Sequence, residues 1–138
     1  MKQRESPPVP VAVLIILLAS LASAAGIYIL LTYLVPAPKT ADPDALKPFI
    51  IGLQFLGALA FVVGLAFLRL RLERDKGPAP TMRTVIVSAA IGDTIGVFGL
   101  MEYFLTGFRN WLMFGACLGY FAIMFLALPT ILRAFSEN

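Results

Sequence analysis

Four long apolar stretches, at about residues 10–35, 48–70, 84–105 and 111–132, follow one another with only short polar joints between them. A helix needs about 20 apolar residues to cross the hydrocarbon of a bilayer. In that medium the backbone must satisfy its own hydrogen bonds, which leaves helices and closed barrels as the spanning structures. Each stretch is continuously apolar rather than alternating, which points to helices. The composition agrees: 59% of residues are hydrophobic and 14% are charged, against about 25% charged in soluble domains. The sequence therefore predicts an all-α membrane protein. Its four transmembrane helices would form a bundle of two hairpins, a single integral membrane domain over residues 1–138.

The first stretch opens like a secretory signal, with Lys2 and Arg4 ahead of it and small residues at Ala22-Ser23-Ala24-Ala25. Hydrophobicity continues through Ile27-Tyr28-Ile29-Leu30-Leu31 to Val35, so a retained anchor helix is expected. Pro36, Pro38, Pro43 and Pro48 mark a short external loop. A polar loop over about 71–83 contains Gly77-Pro78-Ala79-Pro80, which should break any helix there. Residues 106–110 read as a tight turn, and Pro129 as a late kink or end in the fourth helix.

Basic residues set the expected orientation. Lys2 and Arg4, then Arg69, Arg71, Arg74, Lys76 and Arg83, then Arg133, fall on one side; Lys39, Lys47 and Arg109 fall on the other. The positive-inside rule puts both termini and the central loop in the cytoplasm, in what reads as a bacterial inner membrane. Tyr28, Tyr33, Tyr103, Phe108 and Trp111 would then form an outer aromatic belt. The central basic loop reads as a topology signal and a contact for anionic lipid, with docking of a soluble partner as the alternative.

Missing residues exclude much chemistry. There is no His, which removes imidazole-ligated haem, His metal sites and His general bases. Cys117 is the single cysteine, so a dithiol pair, a thiolate cluster and an intramolecular disulfide are excluded, and Cys117 itself reads as a small packing hydrophobe. No nucleophile–base pair or metal cluster is visible, and an enzyme is not expected. No cofactor is expected beyond H⁺ or Na⁺. The net charge of +3 implies no nucleic acid, because the basic residues sit where a membrane protein places them.

Against this background one residue stands out. Asp93 lies within the third stretch, ten residues beyond Arg83, or roughly 15 Å along a helix. A carboxylate at mid-bilayer costs about 2.5–3.5 kcal/mol on insertion scales, and such residues mark ion paths or buried partners. Gly92, Gly96 and Gly99 surround it, and Gly115 and Gly119 form a second G-x-x-x-G pair on the fourth stretch. Such pairs let helices pack closely, against each other or against a neighbouring subunit. Gln54, the only amide of the second helix, and Thr94 offer oxygen ligands suited to a hard cation or a shared proton. The alternative is a neutral Asp93 hydrogen-bonded to a neighbour. Glu102 stands near the outer interface and should pair with Arg109 or water, or else relay a proton leaving Asp93.

The run Asp93-Thr94-Ile95-Gly96-Val97-Phe98-Gly99-Leu100 resembles the second helix of the rotary ATPase proteolipid, subunit c, in which an essential acid is followed by small and aliphatic residues, an aromatic, Gly and Leu. The similarity extends over about residues 48–105, a hairpin with a polar cytoplasmic loop. It implies that Asp93 carries the ion, with Gln54 and Thr94 as ligands in the manner of the family's sodium site. The sequence departs from the family in its sparse Gly52, Gly57 and Gly64, in the absence of the Arg-Gln-Pro loop signature, and in two additional helices. Three functional readings follow. The first is an ion-binding, proteolipid-like subunit acting as a homo-oligomer or within a larger membrane complex. The second is a non-catalytic accessory or assembly subunit, and the third a small exporter.

Overall fold

The computed structural model describes residues 11–37 and 42–137; Lys2, Arg4 and Lys39, used above for orientation, and the start of the first stretch at Pro10 lie outside them. The described residues form five helices: α1 (Val11–Leu34), α2 (Pro43–Arg74), α3 (Pro78–Thr106), α4 (Trp111–Leu126) and α5 (Leu128–Ser136). Helices α1, α2 and α3 are each long and apolar enough to cross a membrane. The bent pair α4–α5 passes the same test if taken as one span.

Both connections around α2 are shorter than the sequence reading, and proline position explains the early starts of α2 and α3. α2 begins at Pro43 rather than near Pro48, because Asp42 caps it by accepting the Asp44 N–H at 3.0 Å and Pro43 takes the first helical position. The loop expected over 71–83 shrinks to Asp75–Gly77. Pro78 and Pro80 fall in the first turn of α3, where backbone N–H groups have no helical partner to lose. Gly77 supplies the reversal with φ +101°, a conformation costly for any residue with a Cβ. Its N–H donates to Ala134 O at 2.9 Å, which ties the α2–α3 connection to α5. At the other end Gly107, φ +77°, closes α3 through a 2.7 Å bond to Tyr103 O, and Asn110 caps α4 by accepting from Leu112 N and Met113 N. The change of direction expected at Pro129 occurs at Ala127, where α4 and α5 meet at a 48° bend.

α3 is the hub and touches each of the other four helices. α1 lays a stripe of Leu14, Leu18, Ala25 and Thr32 against the bundle. In the core, the Tyr120 ring of α4 fills the space left by the missing side chains of Gly64 on α2 and Gly92 on α3. The Tyr120 hydroxyl donates to Ser88 O at 2.8 Å, and the Ser88 hydroxyl donates to Gly64 O at 3.1 Å. A buried phenol thereby links three helices without leaving its polar atom unsatisfied.

Candidate functional site

Asp93 is partly buried on the face of α3 turned toward α1. The Tyr28 hydroxyl donates to Asp93 Oδ2 at 2.8 Å. Asp93 Oδ1 is buried without a hydrogen-bond partner, alone in that respect among the described side chains. Tyr28 lies far along α1 toward its C-terminal end. Helical side chains lean toward their own N-terminus, which carries this phenol back along α1 to the level of Asp93. It is therefore a partner of the acid rather than a member of an interfacial belt.

The neighbourhood is close-packed. A Cβ placed on Gly96 would stand 2.6 Å from Tyr28 Cδ2 and 3.1 Å from Cys117 Sγ, so only glycine lets the phenol lie across α3 here. The Cys117 thiol donates to Gly92 O at 3.5 Å, within the van der Waals setting expected of it. Gly92 and Gly99 likewise admit Tyr120 and the Met113–Phe114 pair. Gly115 and Gly119 behave differently. A Cβ at either would meet nothing within 4 Å, because both line an open groove of about 790 Å³ between α2 and α4. They make no close helix contact among the described residues.

Gln54 and Thr94 do not join Asp93. The Gln54 amide donates from Nε2 to Glu102 Oε1 at 3.1 Å. Thr94 is exposed, and its hydroxyl bonds back to the Ala90 and Ile91 carbonyls of its own helix. Asn110 Nδ2 donates to Glu102 Oε2 at 2.9 Å, so Glu102, only 7% exposed, has an amide on each oxygen. Arg109, expected to pair with Glu102, instead donates to the Thr32 hydroxyl at 2.9 Å and the Thr32 carbonyl at 2.8 Å, with its guanidinium 4.0 Å from the Tyr33 ring centroid. The reason lies in facing. Glu102 lies on the α2–α4 side of α3, whereas Arg109 reaches across to the end of α1.

Two site residues escaped the sequence reading. Tyr28 carried a signal that was assigned elsewhere: a hydroxyl-bearing ring well inside an otherwise apolar stretch. Asn110 was read as a turn residue, and its dual use as helix cap and carboxylate donor depends on the fold of the α3–α4 connection. No family model, curated protein or solved structure matches the chain.

Proposed function

We propose that this chain is a four-span integral membrane subunit that loads and releases one proton at Asp93. In this reading α1, α2, α3 and the bent α4–α5 pair each cross the membrane, and both termini and the α2–α3 connection face the cytoplasm. The observation that carries it is the half-satisfied carboxyl: Tyr28 holds Oδ2, and Oδ1 is buried with no partner. A buried charged oxygen without a donor is costly. A proton on Oδ1 removes that charge, and the Tyr28 O–H remains to stabilise the carboxylate when the proton leaves. The load is H⁺ rather than Na⁺, since Gln54 and Thr94 direct their polar groups elsewhere. The small bundle leaves little room for a private pathway, so the subunit works as a homo-oligomer or in a larger complex.

Carbodiimide labelling in membranes tests this, because the reagent attacks a protonated carboxyl. Labelling should fall on Asp93, fade as pH rises, and vanish in Asp93→Asn together with proton flux in reconstituted vesicles. If Asp93→Asn leaves flux unchanged, the proton reading is lost.

A second reading, an accessory or assembly subunit, draws on the open groove beside Gly115 and Gly119, which a partner helix can enter closely. A stoichiometric large partner after mild-detergent purification and mass spectrometry would favour it.

A further inference from the structure

The 48° bend at Ala127 turns α5 off the axis of α4 and opens a groove of about 510 Å³ against the last turns of α2. Its walls are apolar, with Leu65 and Leu68 from α2 and Ile123 from α4. Its rim carries three cations from three separate elements: Arg69 on α2, Lys76 on the α2–α3 connection and Arg133 on α5. The bond from Gly77 N to Ala134 O holds the last two elements together.

Two acids answer the three cations at the rim, which leaves the charge net positive. Glu73 approaches Arg69 at 3.8 Å, with both side chains mostly exposed, and a pair of that kind constrains Arg69 little. Lys76 meets Glu137 at 3.1 Å. Arg133 makes no ion pair among the described residues. An apolar channel running into the membrane-spanning part of α2 and α4, closed at its end by net positive charge, matches one kind of molecule. It needs an acyl chain for Leu65, Leu68 and Ile123 and an anionic head for Arg133, whose planar guanidinium suits two phosphate oxygens at once.

We propose that this elbow groove is a binding site for a phospholipid with an anionic headgroup. The inference rests on the membrane placement above but not on the proton reading. Arg133 is the principal headgroup contact, and Arg69 and Lys76 add attraction from the opposite wall.

Quenching by brominated-chain lipids tests it. A Trp111→Phe, Leu126→Trp protein places the sole indole at a fully lipid-facing position one turn from the groove (Leu126 is 81% exposed). In reconstituted vesicles brominated phosphatidylglycerol should outcompete brominated phosphatidylcholine by about fivefold, the preference expected of one cation at a membrane surface. Arg133→Gln should remove most of that preference, leaving only the weaker share from Arg69 and Lys76. Arg83→Gln removes a cation outside the groove and should leave the ratio unchanged. Equal quenching by the two lipids, or an equal loss in both variants, overturns the site. Displacement of the lipid by soluble glycerol phosphate also overturns it, in favour of a free-phosphate site. If no brominated lipid quenches the indole, the membrane placement itself fails.

Discussion

Asp93 and Glu102 occupy opposite faces of the same helix, and the bundle treats them differently. Glu102 faces α2 and the start of α4, where Gln54 and Asn110 each supply an N–H to a different carboxylate oxygen. Asp93 faces α1, which supplies a single hydroxyl and leaves Oδ1 buried and unpaired. In a low-dielectric interior a fully satisfied polar cluster ties elements together, and a partly satisfied one stays under strain. The pair of acids therefore divides the work. Glu102 fastens α2, α3 and α4 near one end, and Asp93 keeps one buried oxygen without a donor, the feature from which the proton proposal starts.

The largest break in this comparison is Glu102→Ala. It removes two hydrogen bonds to a buried carboxylate, from the exposed Gln54 and the half-buried Asn110, and should lower stability by about 3 kcal/mol, read as a drop in thermal midpoint in detergent or as earlier unfolding in denaturant. Glu102→Gln should recover about half of that, since one amide oxygen can accept while the new NH₂ confronts the remaining donor. Labelling of Asp93 should persist in both. A Glu102→Gln protein that loses proton flux while folding normally would instead make Glu102 a relay and erase the contrast.

Gly96→Ala comes next and strikes the other face. The added methyl must push the Tyr28 ring or the Cys117 sulfur aside, an overpacking cost of about 2 kcal/mol. Its more telling effect is local. Moving the phenol withdraws the one donor that Asp93 has among the described residues, so carbodiimide labelling should speed up in a protein that remains folded. Gly115→Ala is the control for the helix itself: nothing lies within 4 Å of the new methyl, and stability should hold or rise slightly. Equal destabilisation by the two changes would mean that Gly96 is not a packing requirement for Tyr28.

Much of the scaffold was legible because hydrophobic length and proline placement are local signals. The apolar stretches marked the helices, and Pro129 announced a change of direction that occurs within two residues of it, at Ala127. Asp93 was legible as a lone carboxylate near the middle of an apolar stretch, and Gly92, Gly96 and Gly99 as its close-packed surroundings. Partner choice was not legible. Whether Gln54 meets Asp93 or Glu102 depends on the rotation of α2 about its own axis, and an almost uniformly apolar helix carries little amphipathic pattern to fix that rotation. The same uniformity hid Tyr28, whose ring could serve an interface or a buried acid equally well until the packing of α1 on α3 was known.

The smallest expected effect isolates a single atom. Tyr28→Phe deletes the hydroxyl that donates to Asp93 Oδ2 and leaves the ring in its slot over Gly96. Side-chain hydrogen bonds between membrane helices average about 0.6 kcal/mol, so stability should fall by about that amount, equivalent to roughly a threefold change in an equilibrium constant. The functional consequence follows from which oxygen is lost. With Oδ2 uncapped, both carboxyl oxygens lack a donor among the described residues, and carbodiimide labelling at a fixed pH should rise by about the same factor. Proton release should slow correspondingly, because the departing proton leaves a carboxylate with no hydroxyl to stabilise it. If Tyr28→Phe changes stability but leaves both labelling and flux untouched, the Tyr28–Asp93 contact is a tie like the one at Glu102. The two acids would then differ in the number of their bonds and not in what those bonds are for.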